Sequence, residues 1–190
     1  MTWSLDPHHT AVTFSAKHMG VSTVRGSFTQ VTADLELNDP NDPTTGSGTV
    51  TIQAASVTTN SEMRDGHIKG PDFFDVEKYP TITFTLKSVA KSGDDYVVTG
   101  DLTIKDITKE ITLDYEHTGA VADPFGNTKV GGTLSGTITR ADWGLVWNVP
   151  LGGGGLLVSE KVKILVDGEL TQDKPAEAEA AAAETAGATA

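Results

Sequence analysis

The 190-residue chain contains no cysteine. That absence excludes disulfide staples, thiol catalysis and cysteine metal sites, and it leaves the redox compartment open. Positive charge is also scarce: 14 Lys and Arg stand against 26 Asp and Glu, a formal net charge of −12. Such a chain has no basic face for a phosphate backbone, so nucleic acid is excluded as a partner and an anionic membrane surface is disfavoured. No apolar run approaches the roughly 20 residues of a membrane-spanning helix. The first residues, MTWSLDPHHT, lack the basic and apolar regions of a secretory signal. The expectation is therefore cytoplasmic residence, or periplasmic or secreted residence if a signal has been removed.

What is present is period-2 alternation. Val12, Phe14 and Ala16 share one face, and Val31, Ala33, Leu35 and Leu37 repeat the pattern. Phe28 falls out of phase with the latter, which predicts a bulge near residues 29–30. Further runs are Val50-Ile52-Ala54, Ile82-Phe84-Leu86, Tyr96-Val98-Gly100-Leu102-Ile104 and Ile111-Leu113-Tyr115. Val130-Gly132-Leu134-Gly136-Ile138 and Val162-Ile164-Val166-Leu170 complete about eight strands. Turn clusters at 38–43, 92–95 and 123–127 keep the links short, so neighbours are antiparallel, in a barrel or a sandwich.

Two segments break the alternation. Thr59-Asn60-Ser61-Glu62 reads as a capping box opening a short helix through about Ile68, closed near Gly70-Pro71. Residues 141–156, with Trp143, Trp147 and the glycine run 152–155, read as an irregular connection. Residues 173–190, nearly all Ala and Glu with Gly and Thr near the end, have no apolar stripe to dock and are expected to form a disordered tail. The expected organisation is one β-domain over 1–172 followed by that tail.

Several inward-phased positions are small: Gly100, Gly132, Gly136, Gly168, Ala16, Ala33 and Ala54. Glycine in a strand marks a bend, a bulge or a close approach. Taken together, these positions leave space, and an eight-stranded barrel either fills with side chains or holds one ligand. The expectation is a continuous apolar cavity lined by Val12, Phe14, Phe28, Ile52, Ile82, Phe84, Leu102, Leu113, Leu134 and Ile138. A leucine at Gly132 or Gly136 is then expected to block a guest more than it harms the fold.

The stretches WSLDPHHTAVTFSAKHMGVSTVRGSF, RDGHIKGPDFFDVEKYPTITF, VTGDLTIKDITKEITL and ADWGLVWNVPLGGGGLLVSEKVKILVDGEL, in that order, resemble the YceI-like family of polyisoprenoid-binding proteins. The resemblance covers nearly all of residues 2–171. It implies an all-β fold, an eight-stranded antiparallel extended lipocalin-like barrel with a short helix or lid insertion. It also implies non-enzymatic binding, sequestration or transport of a long-chain isoprenoid lipid, a polyprenyl phosphate or an isoprenoid quinone, with no cofactor. Residues 60–80 would then be the lid, with Phe73 and Phe74 closing the cavity and Tyr79-Pro80 returning the chain to the wall. The same two rings would equally serve as a core plug.

Polar candidates for a head group are His18, Arg25, Arg64, His67 and Arg140. Arg64 and His67 share a helix face and could meet a phosphate or a quinone oxygen; the alternative is a solvated face, or an ion pair with Asp65 or Asp142. Arg140, two residues after inward Ile138, would need a carboxylate if buried, and Asp142 is the nearest in sequence. Trp143 and Trp147 would rim the cavity or staple the loop. His8 and His9 would point to opposite faces of a strand, and no metal-binding spacing occurs. The alternatives to a carrier are an enzyme acting on such a lipid, with His18 or His67 as acid–base group, and a stress-related scaffold. Partners beyond the lipid are a transient membrane contact and a homodimer, neither of them demanded by any stripe.

Overall fold

The computed structural model describes residues 1–173, so the proposed tail lies almost wholly outside the described residues. The strands are β1 (Thr2–Leu5), β2 (Ala11–His18), β3 (Ser22–Phe28), β4 (Val31–Leu37), β5 (Gly46–Gln53) and β6 (Val57–Thr58). After the helix α1 (Glu62–Lys69) come β7 (Thr81–Ser92), β8 (Asp95–Ile104), β9 (Ile107–Ala122), β10 (Thr128–Thr139) and β11 (Val158–Gln172).

These eleven segments make eight staves. β1 and β2 both lie antiparallel along β11, with Leu5 opposite Leu170 and Ala11 opposite Asp167. β3 pairs with β2 and β4 with β1, while β6 pairs with β3 and β5 with β4. Each of the first three staves is therefore one strand broken in the middle. The remaining staves follow in the order β5-β7-β8-β9-β10-β11, and the β1–β11 pairing closes the ring. The expected break at Thr29-Gln30 separates β3 from β4. The histidine pair is not in a strand: His8 and His9 sit in the turn between β1 and β2, where Asp6 accepts both of their N–H groups.

Two packed clusters seal the barrel. At the helix end Ala54, Ile82, Leu102, Ile104, Trp143 and Leu145 form a buried core, against which Phe73 and Phe74 pack. At the far end Trp3, Leu37 and Val130 form a second, with Leu170 against them. The Trp3 indole donates to the Leu37 carbonyl at 3.0 Å, so its polar atom is satisfied where its ring is buried.

The inward glycines do not do what their number suggests. A Cβ on Gly26 would lie 2.4 Å from the Phe14 ring, and one on Gly100 2.3 Å from the Phe84 ring. On Gly132 it would meet the Glu116 carbonyl at 2.3 Å and the Tyr115 ring at 2.5 Å, and on Gly136 the Leu113 side chain at 2.5 Å. Each glycine is vacant because a cross-strand neighbour lies over it. The space is already used, and the expectation that leucine at Gly132 or Gly136 enters a void is overturned. Gly168 is the exception: it faces Gly132 across the ladder, and a Cβ there would find nothing within 4 Å.

Gly132→Ala is therefore expected to cost about 1–3 kcal/mol, the scale of an overpacked core. Gly168→Ala should leave stability almost unchanged. Urea unfolding midpoints of the two variants check this, and equal midpoints would contradict it.

Candidate functional site

The interior is asymmetric. Inward residues of β7, β8 and β9 such as Ile82, Val98, Leu102, Ile104 and Leu113 are buried, as is Val12. On the facing wall Phe14, Leu134, Ile138, Val162, Ile164 and Val166 are only half-buried, although their register points them inward. Phe28, Ile52 and Phe84 are half-buried too. Side chains filling a barrel would leave no such area. The barrel is packed at its ends, and along the β2-β10-β11 wall its inner face retains solvent-accessible apolar surface.

Residues 60–80 close one end. Asn60 takes a left-handed φ of 60°, which turns the chain from β6 into α1. The capping box does not form: the N-cap is Ser61, not Thr59, Glu62 is already the first helical residue, and the Ser61 side chain caps nothing. Asp65 acts instead, accepting from the Thr59 N–H at 2.8 Å, the Thr59 hydroxyl at 2.5 Å and the Thr58 hydroxyl at 3.1 Å. Burial pushes its carboxyl up, and the hydrogen bonds from Thr59 and Thr58 outweigh that and hold it below the usual range. Arg64 is spent on the same turn, its Nε donating to the Thr59 hydroxyl and its Nη2 to the Thr59 carbonyl. It pairs with neither Asp65 nor Asp142.

The two adjacent phenylalanines go separate ways, as strand alternation cannot accommodate both. Phe74 meets Phe28 edge-on at 5.8 Å, and Phe28 lies tilted against Phe14 at 5.6 Å, a chain of rings running down the barrel. Phe73, also packed against the core at this end, meets Trp147 and His67, with centroids at 5.5 and 5.2 Å. His67 also meets Trp147 at 4.6 Å and bonds Asp72 at 2.8 Å. Pro80 accepts the Ala54 N–H, delivering the chain to β7. Trp143 is a staple, buried with its indole on the Leu102 carbonyl at 3.0 Å.

Among the described residues Arg140 has no carboxylate partner. The residue is 5 % exposed, and its guanidinium donates to the Ser159 carbonyl at 3.0 Å and to the Leu145 carbonyl. Burial pulls its pKa down, with Glu160 opposing weakly. Asp142, its expected partner, instead approaches Lys109 at 3.5 Å. Arg25 points outward from β3 into a groove of about 650 Å³ on the barrel's outer face. The register sets that face: Thr13, Ser15, Ser27 and Lys163 alternate with inward Phe14 and Ile164, and no residue of β5, β7 or β8 borders the groove. His18 ends β2 opposite Ser22 and Val158. The five head-group candidates thus do not converge.

Missed by pattern reading was a polar group at the far end of the interior. Tyr96, Tyr115 and His117 face one another at 5.6–6.4 Å between centroids. Their shared inward phase was the available signal. A second polar cluster, Asp6, His9 and Glu169, is the one group among the described residues with metal-ligand geometry. Lys129 already holds both carboxylates, at 3.0 and 2.7 Å.

A closed eight-stave antiparallel barrel with sealed ends and an accessible apolar wall is a lipocalin-like binding barrel. The chain belongs to the YceI-like domain family, whose profile matches residues 3–170. A UPF0312 protein of Staphylococcus aureus is 39 % identical over 170 residues, 89 % of this chain and 96 % of that one. The YceI protein of Campylobacter jejuni superposes with a TM-score of 0.72 at 32 % identity, covering 83 % of this chain and 90 % of that one. A polyisoprenoid-binding domain from Saccharophagus degradans shares the fold, with a TM-score of 0.65 at 15 % identity over 90 % of this chain and 98 % of that one.

Because the Asp65 carboxyl is depressed in the folded chain, its contribution is present above its unfolded pKa of about 3.9 and is lost as pH falls through the lower folded value. Asp65→Ala should cost about 1–2 kcal/mol, the scale of a lost cap, and should flatten the acid limb of stability. Unfolding midpoints from pH 2 to 7 check both, and a variant with an unchanged acid limb would contradict the role.

Proposed function

We propose that the chain is a non-enzymatic carrier that sequesters or transports a long-chain isoprenoid lipid inside the barrel. The observation that carries this is the half-buried apolar wall of β2, β10 and β11 between two sealed ends. Burying an isoprenoid chain there gains roughly 0.8 kcal/mol per methylene-sized group, so a long tail compensates for the loss of freedom on binding. Membership of the YceI-like family supports the reading, as does the shared fold of a Saccharophagus degradans domain described as polyisoprenoid-binding.

The residues considered for acid–base chemistry are used otherwise or stand apart. His67 is engaged by Asp72, Phe73 and Trp147, and His18 lies on β2 at the turn into β3. The segment 60–80 serves as the lid, with Phe74 as its inner ring. Loading would use the apolar rim beside it for a transient membrane contact. Met19, Val21, Val149 and Leu156 are exposed there, and the Met19 N–H bonds Leu157, whose own N–H bonds Val149. Neither this rim nor the lid requires a second copy of the chain.

Gly168→Leu tests the carrier, because its side chain enters the one inward glycine position that is open. Uptake of a fluorescent polyprenyl probe should fall at least about tenfold while the unfolding midpoint stays within about 0.5 kcal/mol of the parent. Undiminished uptake at an unchanged midpoint would contradict it.

A further inference from the structure

The far end of the interior holds polar groups that neither the lid nor the wall uses. His117 Nε2 lies 3.0 Å from the Pro40 carbonyl, and Nδ1 lies 2.9 Å from the Tyr115 hydroxyl. A carbonyl only accepts, so Nε2 carries a proton and donates to Pro40, while Nδ1 is paired with the Tyr115 hydroxyl. Both ring nitrogens and the Tyr115 hydroxyl are thereby engaged with one another and with Pro40. Burial, with Tyr96 adding to it, pushes the Tyr115 phenol up to about 12. The Tyr96 hydroxyl differs: among the described residues it has no hydrogen-bond partner, yet no buried side-chain oxygen is left unpaired. Its oxygen therefore opens onto accessible space. Beside the Tyr115 ring the wall is bare backbone, Gly132 opposite Gly168, and the Gly168 position is empty to 4 Å.

The charges at this end complete the picture. Lys91, opposite Tyr96 in the register and so on its face, is exposed at the hairpin tip. Arg140 is spent on carbonyls at the other end of the barrel. The one buried cation among the described residues is Arg140, so nothing buried beside Tyr96 compensates a phosphate, whose charge would carry its full desolvation cost. A lone phenolic donor suits a neutral oxygen.

We propose that Tyr96, backed by the Tyr115–His117 pair and the Gly132–Gly168 wall, is a recognition point for the head of the bound lipid, taking a neutral hydrogen-bond acceptor such as a ring carbonyl and disfavouring phosphate. This rests on the carrier reading and adds the polarity of the head and its place, at the end away from the helix.

Three probes of equal prenyl length separate the two ideas: a prenylated benzoquinone, a prenyl monophosphate and the plain prenyl hydrocarbon. The native chain should bind the quinone about tenfold or more tighter than the phosphate. Tyr96→Phe should weaken the quinone about fivefold, the scale of one neutral hydrogen bond, and leave the hydrocarbon unchanged. Phosphate binding as tight as quinone binding would overturn the proposal, as would an equal loss for quinone and hydrocarbon, or no loss, in Tyr96→Phe. Failure to bind any of the three would overturn the carrier reading itself. Should Tyr96→Phe not fold, the native preference among the probes decides.

Discussion

Closure of the far end of the barrel depends on a short seam, the pairing of β1 with β11. Only Trp3, Ser4 and Leu5 take part, opposite Gln172, Thr171 and Leu170. Without it β2 alone would join the first stave to β11, and the end away from the helix would expose free edges. The seam is reinforced where it is shortest. Trp3 is buried and bonded to Leu37, and immediately after β1 the Lys129 ammonium ties Asp6 to Glu169. His9, Lys129 and the His8 N–H together hold the Asp6 carboxyl far below its ordinary range. An acidic protein thus uses one of its few lysines to clasp the two ends of its barrel chain.

Closure makes a cavity only if the inside is left partly unfilled, and side-chain size alone does not decide that. The same small residue means opposite things depending on what faces it. Gly26, Gly100, Gly132 and Gly136 each lie under a ring or a leucine from the next strand, so they serve packing and register. Gly168 faces another glycine and stays open. The accessible wall arises where β10, β11 and β2 meet, while β7, β8 and β9 bury their inward residues against the cluster under the helix.

That distinction marks how far the sequence could be read. The alternating runs, the break at 29–30, the helix near 62–69 and the irregular loop around Trp143 and Trp147 were all legible, because each depends on local periodicity or turn chemistry. β3 was not seen as a strand, since its inward positions are Val24, Gly26 and Phe28 and the glycine removes the middle of the pattern. The partners of Arg140 and Arg64 were misjudged because the sequence offered nearby carboxylates, whereas the fold brought backbone carbonyls and Thr59 closer. The inward phase of Tyr96, Tyr115 and His117 was readable, but their meeting depends on the β8–β9 register and a bond to the Pro40 loop, which local spacing does not give.

The central claim is that the sealed barrel holds one long apolar molecule. It is tested most directly by native mass spectrometry of the protein prepared without detergent, followed by organic extraction and identification of what is released. The account expects a bound mass at one per chain that extraction removes and that fragments as a prenyl series with a neutral, oxygen-bearing head. A chain that is empty after preparation, and still takes up no prenyl lipid when offered one, would contradict it.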